Sequence, residues 1–174
     1  IREMLTVLNY MVIGSGILLA CWGLFHQLIV GGAVAMLGNP DEKEARVVIM
    51  AWVAQGAFMT FCGLLPFIFF VLYGFDHPAY LTASLLAGLA MSVLAVHVAV
   101  VGFATLVRPV QIGAVLEAVF GILVIVKTTM VLISRAARPE LGVLQPIPWV
   151  VRPGEPDIHV ATPAVALPEK LRPR

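Results

Sequence analysis

Charged residues in this chain are confined to narrow gaps between long apolar stretches. No Asp, Glu, Lys or Arg occurs from Met4 to Pro40, from Val47 to Phe75, or from His77 to Val107. A fourth stretch, Pro109 to Ser134, is interrupted only by Glu117 and Lys127. Each exceeds the about 20 residues that cross a hydrocarbon core at about 1.5 Å per residue. The pattern predicts an all-α polytopic membrane protein with spans over about 4–37, 43–74, 79–107 and 109–135. Short connections make consecutive spans antiparallel, so residues 1–137 are expected to form a four-transmembrane-helix up-down bundle.

The connections carry helix start and stop signals. Gly38 suits the end of the first span, and Asn39 is the expected cap of the second, with Pro40 at its first position. Asp41 and Glu42 then lie on the positive end of that helix dipole. Asp76-His77-Pro78 restarts the third span by the same logic, and Arg108-Pro109 makes the last connection tight. Pro66 removes one backbone bond and predicts a kink near Cys62. Small residues (Gly14, Gly16, Ala20 and Gly23 in the first span, Ser84, Gly88 and Ser92 in the third) mark where helices pack closely. Residues 138–174 hold 8 of the 12 prolines and read as an extended Pro-rich tail with no core of its own.

Composition sharpens the class. The 174 residues are 60% apolar and 12% charged, against about half and a quarter in soluble domains. A net charge of +1 and the lack of a basic cluster set nucleic acid aside as a partner. Cys21 and Cys62 fall inside apolar runs without CxxC spacing and read as packing residues rather than a disulfide or metal pair. Residue 1 is Ile, so the natural start is expected upstream or processed, and Met4–Met36 is too long for a signal h-region. Dinucleotide, phosphate-loop and zinc-protease motifs do not occur, so a catalytic role is not expected.

Candidate chemistry rests on polar residues within the spans, since ionisable groups there are costly and face protein interiors. His26 lies 11 residues before Leu37 and His97 11 before Arg108; Gln55 follows Arg46 by 9 and Glu117 follows Arg108 by 9. Counted from that side, the four fall about 14–16 Å deep and predict one polar cluster of His26, Gln55, His97 and Glu117. The spacing also hints at duplication: Arg46, Val48, Val53, Gln55 and Phe58 align on Arg108, Val110, Val115, Glu117 and Phe120, and His26, Val30 and Gly31 on His97, Val101 and Gly102.

Three readings of the cluster stay open. It is a structural hydrogen-bond network, a proton relay through His26, His97 and Glu117, or a haem b site with His26 and His97 as axial ligands. The sequence leaves the cofactor otherwise unknown, and it indicates no metal site. Lys127 is expected either to snorkel to the interface or to meet a partner subunit. Ile147 and Trp149 in the tail are expected partner contacts, and Tyr73, Tyr80 and Trp149 suit interface anchoring. The resulting expectation is a non-catalytic membrane subunit of a larger respiratory, photosynthetic or transport complex, in a bacterial inner or organellar membrane. Its partners are the lipid bilayer and other membrane subunits. With four spans both termini share one side, and the tail's Arg152, Lys170, Arg172 and Arg174 tip that side to the cytoplasm.

Overall fold

The computed structural model describes residues 2–36, 38, 40–103 and 107–137. The tail, with Ile147 and Trp149, lies outside the described residues. Those described form helices and connections only: α1 (Arg2–Leu28), α2 (Val30–Ala35), α3 (Glu42–Tyr73), α4 (Pro78–Gly102) and α5 (Arg108–Ala136). Four of them, α1, α3, α4 and α5, are long and apolar enough to cross a membrane. Their outer surface agrees with that solvent: Leu28, Val93 and Val100 are each more than 70% exposed, whereas His26, Ser84, Glu117 and Lys127 are buried.

The tightest contact joins α1 to α3. A methyl group on Gly23 would lie 2.5 Å from the Gly56 carbonyl oxygen, and one on Gly16 2.5 Å from that of Gly63. Backbone therefore touches backbone at two points seven residues apart on each helix, which makes the pair antiparallel. Thr60 adds a hydroxyl between them, donating to the carbonyls of Ala20 at 3.3 Å and Gly56 at 2.9 Å. The α4–α5 pair is antiparallel and built differently: Gly88 receives the Val124 side chain and Gly102 that of Val110. Phe120 of α5 reaches Gly16 of α1, and Val12, Leu19, Met59, Cys62, Met91 and Val124 complete the apolar core around it.

Several expected boundaries move, each for a local reason. The first span is not one helix: it breaks at Ile29 between α1 and α2. The His26 carbonyl accepts a 2.6 Å hydrogen bond from the Trp52 indole, while backbone bonds near the join run to Phe25 and Ile29. A side chain inserted into the helical ladder is a recognised cause of such a break. Asn39 lies outside the described residues, and the cap of α3 is Asp41. Its carboxylate accepts from the Glu44 N–H at 2.7 Å, and the Glu44 carboxylate accepts from the Asp41 N–H at 3.2 Å. Gly74 closes α3 at a φ of +79°, and Gly38, two residues beyond the Met36 cap of α2, has a φ of +78°, a region that favours glycine. His77 caps α4, its Nδ1 accepting from the Ala79 N–H. Helix α4 ends at Gly102 rather than 107. Pro66 lies buried inside a continuous α3. Cys62 is in the core as expected, but Cys21 faces outward. Tyr80, expected at an interface, is fully buried.

Two alanine substitutions separate close approach from helix propensity. Gly14 is exposed with nothing within 4 Å of an added methyl, so Gly14→Ala is expected to raise stability by up to ~1 kcal/mol. Gly23→Ala forces α1 and α3 apart and is expected to cost about 3 kcal/mol or more. Thermal unfolding of the detergent-solubilised protein reads the opposite signs.

Candidate functional site

Two buried ionisable groups lie along α5, Glu117 and Lys127, and a third, His26, lies on α1. Glu117 is 0% exposed and has no hydrogen-bond partner on either carboxylate oxygen among the described residues. Gln55, on α3, is the polar side chain that faces it, outside hydrogen-bonding geometry. Gly113, one turn earlier on α5, leaves room for Trp22 of α1, whose Nε1 would lie 3.2 Å from a methyl placed there. That indole N–H is likewise buried without an acceptor among the described residues. Gly121, one turn after Glu117, accommodates the Ser92 hydroxyl rather than widening the carboxylate's surroundings. An acid, a half-buried amide and an indole thus converge where α1, α3 and α5 meet, in surroundings that make an unpaired polar group costly.

His26 sits on the α1–α3 side. Its ring stacks flat on Trp52, with centroids 4.1 Å apart and planes 4° from parallel. Neither ring nitrogen has a partner among the described residues. Trp52 therefore holds residue 26 twice, by its indole N–H to the backbone carbonyl and by its ring against the imidazole. Gln27 turns its side-chain amide back to the Gly23 carbonyl at 3.3 Å.

His97 does not join the cluster. It is exposed on the outer face of α4, among exposed Val93, Val96, Val100 and Val101. Its height is close to that of Glu117, since Gly88 packs on Val124 and Gly102 on Val110, which sets residue 97 opposite residue 115; it is the face of the helix that differs. Bis-imidazole ligation requires two rings facing a common space. One ring here lies beneath an indole and the other points outward, so His26 and His97 do not frame a haem between them. No set of three or more His, Cys, Asp or Glu suited to a metal ion occurs among the described residues.

The other buried ionisable group on α5 is Lys127, ten residues beyond Glu117. It is 1% exposed, and its ammonium sits 3.8 Å above the Tyr80 ring centroid, within cation–π range. Tyr80 is near the start of α4, so the lysine reaches toward the end of the helices where α1 begins and α5 finishes. It is enclosed by this chain rather than presented to a neighbour.

Trp22 and Trp52, which the charge and spacing pattern does not single out, carry much of this geometry. One signal could have flagged them: an indole N–H deep in an apolar span needs an acceptor, and the nearest supply is a helix carbonyl. Trp52→Phe keeps an aromatic ring against His26 but strands the carbonyl, and is expected to cost about 1–2 kcal/mol. Unfolding in detergent measures it; an unchanged stability would mean that the indole bond contributes nothing.

The chain matches no family model, no curated protein and no solved structure.

Proposed function

We propose that this chain is an integral membrane protein whose long helices cross the bilayer as an up-down bundle. On this reading it serves as a non-catalytic subunit of a larger membrane assembly of the respiratory, photosynthetic or transport kind, with both termini on the cytoplasmic side. The observation that carries it is an open trough of about 330 Å³ along the outside of α4 and α5. Small residues, Ser92, Ala95 and Ala99 on α4 and Ala114 and Ala118 on α5, form more than half of its lining, and Val96, Phe103, Val115 and Ile122 form the rest. Lipid tails are as apolar as leucine, so helices in a bilayer associate by close packing, and small residues are where a second backbone comes near. A transmembrane helix of a neighbouring subunit, carrying larger side chains, fits that shape. Filling the trough with Ala99→Phe and Ala118→Phe is expected to dissociate the assembly, shifting the chain to low mass on native electrophoresis of a mild-detergent extract. The isolated chain should keep its thermal stability. An assembly that survives both substitutions rejects the reading.

A second reading, that the interior acid carries protons, is supported by a different observation. Glu117 is wholly buried, and among the described residues the only polar side chain facing its carboxylate is that of Gln55, outside hydrogen-bonding geometry. Intramembrane acids without a structural partner are characteristic of proton pathways. Glu117→Gln preserves shape, and on this reading it abolishes proton flux into vesicles reconstituted with the protein and an enclosed pH-sensitive dye. Flux unchanged by the substitution, or absent from the wild type, rejects it.

A further inference from the structure

A cavity of about 170 Å³ lies between the start of α1, the α3–α4 turn and the end of α5. Unlike the trough it is rich in polar side chains: Asn9, Asp76, Lys127, Ser134 and Arg135 all line it. We propose that it binds an anion bearing a phosphate group.

The argument starts from Lys127. Its ammonium has no hydrogen-bond acceptor among the described residues and rests only on the Tyr80 ring. That ring is itself held in place, since the Tyr80 hydroxyl donates to Asn9 Oδ1 at 3.4 Å. A buried ammonium compensated only by a π face is left with most of its desolvation cost. An acceptor can reach it from the cavity. Asp76 borders the same space but stands beyond ion-pair distance of either cation; among the described residues the only ion pair is Arg46 with Glu42. Lys127 and Arg135 therefore outnumber Asp76 on the lining by one positive charge, which suits a singly charged anion.

The donors point to the anion's shape. An ammonium, a guanidinium, a side-chain amide and a hydroxyl approach from α1 and α5, and a tetrahedral group with several acceptor oxygens can meet donors from different directions. Arg135 is close to the end of α5 and Tyr80 to the start of α4. The cavity thus sits at the ends of the helices, where lipid headgroups would lie if these helices span a bilayer. Leu5, Phe75 and Leu81 supply an apolar rim. The phosphate could belong to a lipid phosphodiester or to free phosphate; the chemistry at Lys127 and Arg135 is the same. The proposal is independent of the subunit and proton-relay readings.

The test uses the full chain in detergent. Native mass spectrometry with added phosphatidylglycerol, and with a diacylglycerol of the same tails, asks whether retention depends on the phosphate. Thermal shift with inorganic phosphate asks about the free ion. The expected result is retention of phosphatidylglycerol over diacylglycerol, weakened about tenfold or more in Lys127→Met and Arg135→Gln and strengthened in Asp76→Asn. Stabilisation by inorganic phosphate with the same variant pattern, and no preference for phosphatidylglycerol, identifies the free ion as the source. Arg135 is exposed at a helix end, so its variant remains informative should Lys127→Met misfold. Binding of neither probe, or equal binding by wild type and Arg135→Gln, overturns the proposal.

Discussion

Where no water drives apolar surfaces together, helices stay associated only if their atoms come close enough for dispersion and weak polar contacts to add up. In this chain that condition is met most strictly between α1 and α3. Carbonyl oxygens of Gly56 and Gly63 occupy the space that side chains on Gly23 and Gly16 would fill, and the reverse holds from the other helix. Two such contacts, seven residues apart on both helices, fix separation and axial register at once. Sliding by one residue would drive Ala20 or Thr60 into the facing backbone.

The other interior features depend on that register. It brings Trp52 level with the last turn of α1, close enough for its indole to take the His26 carbonyl and for its ring to cover the imidazole. The break at Ile29 follows, because a carbonyl engaged by a side chain is diverted from its own helix. It also sets Gln55 on the side of α3 that faces Glu117. The chain thus keeps its polar interior by backbone proximity rather than by a network of side-chain hydrogen bonds. Among the described residues His26, Glu117 and Lys127 are left without hydrogen-bond partners as a consequence, Lys127 beside the cavity at the helix ends.

The repeat visible in the sequence meets the structure in an uneven way. Moving the first hairpin onto the second by the alignment of His26 on His97 and Gln55 on Glu117 carries Gly16 and Gly63 onto Ala87 and Ile125. The observed contact there is Gly88 against Val124, one residue away on each helix and at the same level. The two hairpins share an axial register. They do not share faces: His26 is buried where His97 is exposed, and the glycine-to-glycine contact of one is glycine against valine in the other.

The number of long apolar helices and some of their start and stop signals were legible in the sequence, because each depends on local chemistry: uninterrupted apolar length, proline at the start of α4 and α5, glycine at the end of α3. Gly16, Ala20 and Gly23 could also be read as a packing seam, although their partners Gly56, Thr60 and Gly63 were not singled out. Rotation about each helix axis was decided by tertiary structure alone. A helix in hydrocarbon is apolar on every side, so no polar stripe announces which face turns inward. That is why His97 could be assigned a depth from residue counting yet lie on the outer surface, and why Tyr80 could suit an interface yet lie buried under Lys127. Residue spacing sets a side chain's height along the helix, while its neighbours across the interface depend on packing among residues far apart in the chain.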